Sequence, residues 1–441
     1  MASPAQVAQQ LPFWLAGNFA PVFEERSDSD LRVTGEIPRE LNGLYVRNGA
    51  NPPSGKSMDW FLGCGMLHGV EIADGKPRWY RNCYVQTCLL EQEMPDPKTR
   101  SQLENSIANT HVIAHAGKIL ALAELNLPIE VTSELETVGP YRFGGKLNGN
   151  MTAHPKVCAV TGEMMFFGYS MTPPFLKYYR VASDGALVQE TEIAVKGPTM
   201  MHDFCITGTR TVFLDLPVVF DLEERRKGGL GIRHDDDYGA RIGVMPRTGT
   251  SEDVQWFEID PCYVYHTLNA YDDGDEVVVE GCRMVGYMAK GMVKPPVPVP
   301  YRWRLNIASG TVIETQIDDI GLDFPVVPDR LSGQRHRYGY FAQFGDAAPT
   351  VDGFHKLEMA TGQRQSHMLR NGRTGSEARF VPAASAASED DGYLLSYVYD
   401  PGSATSELVI LDAANLSDDP IARIHLPARV PAGFHGSWIP H

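Results

Sequence analysis

The residues of this chain that most clearly point to chemistry are four histidines, each in a separate strand-like segment. They are His154, His202, His266 and His435. Four neutral imidazoles leave the full dipositive charge on a bound metal, whereas catalytic zinc usually takes three protein ligands and a water. Such a set suits an octahedral ion with two open positions, which is what Fe(II) needs to bind dioxygen beside a substrate. The histidine set therefore predicts an iron site, provided that the fold brings the four together.

These histidines are widely separated in sequence. No short His-x-x-x-His or Cys-x-x-Cys pair supports them, so local spacing cannot assemble the site. An isolated histidine in an apolar stretch is more often a hydrogen-bonded core or surface residue than a ligand. The innermost strands of a β-propeller converge on one axis, however, and can collect distant residues there. The metal hypothesis thus depends on the fold.

The composition narrows the choice of partner and compartment. The 441 residues carry a formal net charge of −16, which argues against nucleic acid and against electrostatic adhesion to anionic lipid. The seven cysteines are scattered and odd in number, which favours reduced thiols and a cytoplasmic location. The first residues do not resemble a signal peptide, and no run of about eighteen apolar residues predicts a spanning helix.

Short apolar segments separated by turn signals recur along the whole chain, for example at residues 164–169, 211–216, 276–280 and 393–399. This pattern is typical of an all-β protein built from meanders. At this length, and without long crossover helices, it favours a β-propeller that forms a single domain over residues 1–441. No WD or kelch signature repeats, so periodicity alone does not establish the propeller. The proline-rich segment 286–301 is either a solvent loop or an apolar lip over a substrate entrance.

Several longer motifs carry a resemblance to a known family. They are Gly17-Asn-Phe-Ala-Pro-Val22, Leu41-Asn-Gly-Leu-Tyr-Val-Arg-Asn-Gly-Ala-Asn-Pro52, Asn109-Thr-His-Val-Ile-Ala-His115, Thr152-Ala-His-Pro-Lys156, Thr161-Gly-Glu-Met-Met-Phe-Phe-Gly-Tyr169, Met200-Met-His-Asp-Phe204 and Arg429-Val-Pro-Ala-Gly-Phe-His-Gly-Ser-Trp438. In these motifs and in their order the chain resembles the carotenoid cleavage oxygenases, non-haem iron enzymes that split alkenes with dioxygen. The resemblance implies a seven-bladed β-propeller, an Fe(2+) ion on its axis, and a dome of loops and helices above the metal.

The resemblance also implies roles for individual residues. The four histidines match the family's metal ligands one by one. Three acidic residues match the carboxylates that hold His202, His266 and His435, and they are, respectively, Glu124, Asp323 and Glu377. Such a carboxylate accepts the second ring N–H of a ligating histidine and fixes its orientation. The other nine histidines match no ligand position and are expected to be structural or exposed.

Two of the matched positions need comment. Asp323 stands where the family usually has glutamate, and its side chain is one methylene shorter. Either its backbone approaches the histidine more closely or a water bridges the gap. Thr110 matches a threonine whose side chain crowds one open position of the iron, which would restrict where dioxygen binds.

The substrate is predicted from the absence of two residues that would bind a phenol. Stilbene-cleaving members carry a lysine just before the first of these carboxylates and a tyrosine upstream, and both contact the phenolic oxygen. The lysine position here is Ala123, and no tyrosine lies between Glu91 and Asn109, although Tyr84 is further upstream. This favours an apolar polyene such as an apocarotenoid, held in a tunnel of aromatic and aliphatic side chains.

The expected reaction joins dioxygen to a double bond and gives two carbonyl products. Alternatives are the cleavage of aryl alkenes by the same iron site, a metal-dependent propeller lactonase, or an inactive binding module. A lactonase should offer carboxylate and amide ligands for calcium rather than histidines, and an inactive binder should have lost a ligand. The apolar loops leave peripheral membrane contact open, and its origin would be hydrophobic.

Overall fold

Antiparallel hairpins account for almost all of the regular structure. A computed structural model describes residues 11–87, 90, 102–226, 231–290, 292, 294–345 and 349–441. These residues form seven sheets of four to six strands and one separate two-stranded hairpin. The seven sheets are the blades of a β-propeller, as the sequence predicts.

The first four blades are formed in chain order, except that the C-terminal strand β33 completes blade 1. Blade 1 contains β1 (Arg26–Asp28), β3 (Gly43–Arg47), β4 (Ala50–Asn51), β5 (Cys64–Ala73), β6 (Lys76–Tyr84) and β33 (Gly436–Pro440). Blade 2 contains β7 (His111–His115), β8 (Lys118–Leu122), β9 (Ile129–Val131) and β10 (Thr137–Pro140). Blade 3 contains β11 (Lys156–Val157), β12 (Met164–Tyr169), β13 (Leu176–Val181) and β14 (Leu187–Glu192). Blade 4 contains β15 (Cys205–Ile206), β16 (Arg210–Asp215), β19 (Arg241–Pro246) and β20 (Gln255–Glu258).

The remaining blades complete the ring. Blade 5 contains β21 (Tyr263–Asp273), β22 (Glu276–Met284), β23 (Val299–Asn306) and β24 (Val312–Gln316). Blade 6 contains β25 (Leu322–Val326), β26 (Tyr338–Phe344), β27 (Val351–Glu358) and β28 (Arg364–Met368). Blade 7 contains β2 (Val33–Gly35), β29 (Arg379–Pro382), β30 (Gly392–Asp400), β31 (Thr405–Asp412) and β32 (Ala422–His425). The separate hairpin pairs β17 (Val218–Phe220) with β18 (Ile232–His234).

The described helices are few and short. They comprise the helix α1 (Leu222–Arg226) and the 3-10 turns Phe13–Leu15, Gly17–Phe19, Ser251–Asp253 and Asp329–Leu331. Within the described part of the chain, no helix has the length and apolarity needed to cross a membrane.

Both ends of the chain close the ring. The C-terminal strand β33 pairs with β3 in blade 1, with Leu44 opposite Ile439. The N-terminal strand β2 pairs with β32 in blade 7, with Val33 opposite Ile424. Because each closing strand comes from the far end of the chain, the first and last blades are complete only when the whole chain has folded.

Seven apolar clusters hold the blades together, one at each junction between neighbouring blades. Strand β12 shows how one strand serves two junctions. Met164 and Phe166 pack toward blade 2, whereas Met165 and Phe167 pack toward blade 4. Successive side chains of a strand point to opposite faces of the sheet, and here both faces are buried. This explains why these central strands are apolar throughout instead of alternating with polar residues.

The innermost strand of each blade lies beside the axis, and these seven strands are β7, β11, β15, β21, β25, β29 and β33. Contacts between blades join β33 to β7 and β29, and β21 to β15 and β25. The long connection between β16 and β19 leaves the sheet at the end where these axial strands begin, and it carries α1 and the β17–β18 hairpin. His234 Nδ1 lies 3.1 Å from the carbonyl oxygen of Tyr287 in the next long connection. These loops therefore cover one end of the axis.

Candidate metal centre

Each of the seven axial strands carries one predicted site residue at or near its start. The residues are Thr110 before β7, His154 before β11, His202 before β15, His266 in β21, Asp323 in β25, Glu377 before β29 and His435 before β33. Glu124 follows the second strand of blade 2, which ends at the same face of the propeller. The convergence of these strands brings residues from the whole chain to one end of the axis.

The four histidines lie together, with one ring nitrogen of each within 4.8 Å of the others. Nε2 of His154 is 3.1 Å from Nε2 of His202. His154, His266 and His435 are 6%, 9% and 3% exposed. Nε2 of His266 is buried and has no hydrogen-bond partner, which is costly unless something occupies the centre. Four imidazole nitrogens turned toward one small volume fit a cation, so the residues present suit the predicted metal.

Three of these histidines contact a carboxylate through the opposite ring nitrogen. Nδ1 of His202 contacts Oε1 of Glu124. Nδ1 of His266 lies 2.9 Å from Oδ1 of Asp323, and Nδ1 of His435 lies 3.1 Å from Oε1 of Glu377. A carboxylate at Nδ1 holds the proton there, and Nε2 keeps its lone pair for a metal. The three pairings are those that the resemblance implies.

Asp323 reaches its histidine directly because of an irregular backbone. The register between β25 and β26 shifts between Asp323 and Val326. Phe324 adopts a positive φ of 48°, and its backbone N–H donates to Oδ1 of Asp323 at 2.9 Å. Of the two alternatives left by the sequence, closer backbone approach is therefore the one observed.

Glu124 has a second partner that the sequence did not identify. The hydroxyl of Tyr169 donates to Oε2 of Glu124, while Oε1 faces His202. Burial and the adjacent Glu124 carboxylate raise the pKa of Tyr169 well above its usual range, so the phenol keeps its proton. The available signal was a tyrosine at the end of an apolar strand, since a buried phenol needs a hydrogen-bond partner.

Electrostatics keep part of the cluster neutral. Burial and the neighbouring imidazoles hold the pKa of His154 and of His435 well below the ordinary value. Burial acts in the same direction on His266, but Asp323, together with Asp203 and Glu377, raises the pKa of His266 above its ordinary value. Neutral His154 and His435 are in the form that binds a metal.

Thr110 lies beside His435. Its carbonyl oxygen accepts the backbone N–H of His435 at 3.1 Å, and its own N–H donates to the carbonyl oxygen of Leu122 at 2.8 Å. Its hydroxyl donates to Oδ1 of Asn109 at 3.0 Å. The contacts fix the residue, and the crowding of an iron position by its side chain stays a prediction.

A fifth histidine borders the cluster. The ring centroid of His111 is 5.3 Å from that of His435 and 5.8 Å from that of His154. Its Nδ1 lies 2.8 Å from the carbonyl oxygen of Ala153, and its Nε2 is buried without a partner. Burial and the nearby His435 lower the pKa of His111 to about 3. It lies outside the group of four histidines but borders the site, and its structural role stays a prediction.

Aromatic rings flank the cluster on two sides. Phe324 lies 5.2 Å, between ring centroids, from both His266 and His435. Tyr265 lies 5.1 Å from His202, and its hydroxyl is 2.6 Å from that of Tyr287 in segment 286–301. The start of that segment thus approaches the site, which is compatible with the predicted lip.

A cavity of about 560 Å³ runs from the cluster along the axial strands. It touches three of the four histidines and extends past Lys156 and Arg379 to Pro440 at the end of β33. Its lining is partly charged, unlike the apolar tunnel expected for a polyene. The position of such a tunnel stays a prediction.

A seven-bladed propeller with four axial histidines, three of them held by carboxylates, defines a class of proteins built around a metal centre. Residues 19–440 match the family model described as Retinal pigment epithelial membrane protein. The chain is 38% identical to a carotenoid cleavage oxygenase of Mycobacterium tuberculosis, over 99% of both chains. It is 36% identical to carotenoid 9,10(9',10')-cleavage dioxygenase 1 of Arabidopsis thaliana, over 97% of this chain and 89% of the relative.

Solved structures agree with these relatives. The lignostilbene dioxygenase of Pseudomonas brassicacearum superimposes with a TM-score of 0.88 at 29% identity, covering 98% of this chain and 99% of that one. Cobalt-substituted apocarotenoid oxygenase of Synechocystis shares the fold, with a TM-score of 0.85 at 22% identity, over 96% of this chain and 97% of that one. The chain belongs to the carotenoid cleavage oxygenase family, and it is an enzyme that cleaves alkenes oxidatively.

Proposed function

We propose that this enzyme uses Fe(2+), held by His154, His202, His266 and His435, to cleave a double bond of an apolar conjugated alkene, with an apocarotenoid or carotenoid favoured. The observation that carries the proposal is the shared volume enclosed by four imidazole nitrogens, three of them on rings backed by carboxylates. One dioxygen and one C=C bond give two C=O groups, so the reaction balances without another reductant.

Iron, when bound, supplies the activation of dioxygen, which organic side chains do not provide. The residues of this chain orient the ligands, exclude water and limit the space for dioxygen. Glu124, Asp323 and Glu377 orient three imidazoles and keep their Nδ1 protons in place. Phe324 and Tyr265 cover the sides of the centre and exclude water from it. Thr110 narrows the space in which dioxygen binds.

The substrate preference rests on a missing phenol anchor. Ala123 is buried, 2% exposed, and has no group that could assist a phenol. The hydroxyl of Tyr84 contacts Asn51 and the carbonyl oxygen of Val22, so it is occupied within blade 1. Residues 91–101 lie outside the described part of the chain. The carotenoid names of several relatives point the same way, whereas the lignostilbene dioxygenase keeps aryl alkenes as the second candidate.

The proposal is tested by mass spectrometry of products after aerobic incubation of the Fe(II)-loaded protein. One substrate panel contains apocarotenals and carotenoids, and the other contains hydroxylated stilbenes and phenylpropenes. Aldehydes from the polyenes alone support the proposal. Aromatic aldehydes would support the iron site but show that the substrate is an aryl alkene. The hydroxyl pair of Tyr265 and Tyr287 would then be the first candidate phenol-binding group to test.

Metal analysis of the purified protein separates the remaining classes. Iron supports the oxygenase, calcium supports a lactonase, and no metal supports a binding module. We also propose a cytoplasmic location, because the described cysteines Cys83, Cys158, Cys205, Cys262 and Cys282 form no disulfide. Peripheral membrane contact is proposed for the exposed apolar side chains of Met58, Phe61 and Leu62, which lie in the loop between β4 and β5.

A further inference from the structure

We propose that Asn48 is a positioning residue that fixes His435 and Thr110 relative to each other, and so couples closure of the propeller to assembly of the metal centre. This inference rests on the proposed function, because it concerns the placement of one of the four proposed ligands. Asn48 lies in the motif Leu41–Pro52, to which neither the ligands nor their carboxylates give a role.

The first support is the backbone of Asn48. Strands β3 and β33 close the ring, and their paired residues end with Arg47 opposite Gly436. Asn48 continues this pairing by one residue. Its N–H donates to the carbonyl oxygen of His435 at 2.9 Å, and its own carbonyl accepts the N–H of Phe434 at 3.0 Å. The backbone of His435 is therefore held by the contact that closes the propeller.

The second support is the side chain of Asn48, which is fully buried at 0% exposure. Its amide group donates to the carbonyl oxygens of Ala108 at 2.7 Å and His111 at 2.9 Å. Its oxygen accepts the N–H of Gly49 at 2.9 Å. The two acceptors bracket Thr110, whose carbonyl accepts the N–H of His435. Backbone hydrogen bonds thus join Asn48 to His435 and His435 to Thr110. The Asn48 amide completes the link between the three segments through Ala108 and His111, which flank Thr110.

The neighbouring arginine supports the same segment from the other side. Arg47 is 1% exposed, and its guanidinium donates to the carbonyl oxygen of Pro431 and, at 3.4 Å, to Oγ of Ser376. Ser376 precedes Glu377, the carboxylate that contacts His435. A Cβ at Gly433 would lie 3.0 Å from both the guanidinium carbon of Arg47 and the carbonyl oxygen of Asn48. An alanine at this position would therefore force Arg47 or Asn48 to shift by a few tenths of an ångström.

Asparagine is the side chain that these contacts demand. Aspartate has nearly the same shape, but it has no donor for the two carbonyl oxygens and would place a charge against them in a buried site. The substitution Asn48→Asp therefore removes the two amide links to the segment of Thr110 without leaving a large void.

The matched control is Asn269. Its amide group donates to the carbonyl oxygens of Leu331 and Gln334, both at 2.9 Å, and its oxygen accepts the N–H of Gly333 at 2.9 Å. It is 7% exposed, and its amide also lies 3.2 Å from Nδ1 of His336. Asn269 lies in β21, but these four partners belong to the segment 331–336, which carries none of the proposed ligands. Asn269→Asp breaks a comparable set of hydrogen bonds without touching those of Asn48.

The experiment loads the wild-type protein and both variants with Co(II), a spectroscopic probe. It records visible absorption, Co(II) affinity and thermal unfolding. Both variants should lose stability. Asn48→Asp alone should shift the Co(II) bands and weaken Co(II) binding by about 10- to 100-fold, the usual effect of losing a residue that orients a ligand. Wild-type bands and affinity in Asn48→Asp, or equal changes in Asn269→Asp, overturn the inference.

If Asn48→Asp does not fold, Gly433→Ala decides the question. The added methyl presses on Arg47 and Asn48 but removes no hydrogen-bonding group. A shifted Co(II) spectrum in a folded Gly433→Ala protein supports the inference, and an unshifted one overturns it. A wild type that binds no Co(II) contradicts the proposed metal centre itself, so the two failures are distinguishable.

Discussion

Oδ1 of Asp323 lies 2.9 Å from Nδ1 of His266, although the aspartate is one methylene shorter than the glutamates that serve His202 and His435. The backbone makes up the difference, because the β25–β26 register shifts at this point and Phe324 turns into the left-handed region. The same shift brings the ring of Phe324 to 5.2 Å from His266. The register shift between β25 and β26 thus accounts both for the contact of Asp323 with His266 and for the position of the Phe324 ring beside it.

Replacing this aspartate should weaken iron binding. Asp323→Asn keeps the shape but loses the negative charge that holds the Nδ1 proton of His266, so we expect iron affinity to fall by about 10- to 100-fold. The measurement is iron content and competitive titration with a chelator. Asp323→Glu should also bind iron more weakly than the wild type, because the backbone is already close to His266. Full iron affinity in Asp323→Glu would contradict this account of the bulge.

The axial histidines should differ sharply in their contribution to metal content. His435→Ala removes a proposed ligand, and we expect the purified protein to lose most of its iron. His111→Ala removes a ring only 5.3 Å from His435 that is outside the group of four. It should retain iron and lose mainly stability. Metal analysis of both purified variants checks the assignment, which fails if His111→Ala loses iron and His435→Ala keeps it.

His355 should make the stability of the metal-free protein depend on pH. The residue is 3% exposed, and burial, with Arg364 nearby, lowers its pKa to about 4. Its unfolded pKa is about 6.5, so the unfolded state takes up the proton first as pH falls. The stabilisation is present above about pH 6.5 and is lost toward pH 4, by at most about 1.4 kcal/mol per pH unit.

Urea unfolding of the metal-free wild type and His355→Gln at about pH 7 and about pH 5 measures this effect. A glutamine side chain does not titrate, so the variant should lose less stability between the two values than the wild type. The difference between the two proteins isolates His355 from the carboxylates that also titrate in this range. Equal losses would show that His355 does not contribute.

Membrane contact should depend on the exposed apolar surface around Phe61. Met58, Phe61 and Leu62 are 71%, 45% and 42% exposed. The triple serine variant should float less with neutral liposomes, and added salt should have little effect because the net charge is −16. Val160→Ser is the control. Val160 is 75% exposed and lies in blade 3, in the turn between β11 and β12, at the end of β11 that is farther from the metal centre. An equal loss in the control would rule out a defined membrane surface.

The sequence by itself determined which segments form strands and which residue types the candidate site contains. Segments such as Met164–Tyr169 are short, apolar and bounded by turn signals, which predicted strands of an all-β protein. The order of the motifs indicated the family, and with it the propeller, the four histidines and the three carboxylates. These features could be predicted because each is carried by a short local pattern.

Only the tertiary structure decided which residues meet. The chain distance between His154 and His435 contains no information about their contact, which arises because β11 and β33 both surround one axis. The direct Asp323–His266 contact depends on a bulge, and the Tyr169–Glu124 contact depends on the packing of blade 3 against blade 2. The position of Asn48 between three segments likewise follows from the closing of the ring. Such contacts are long-range, so no local pattern of residues specifies them.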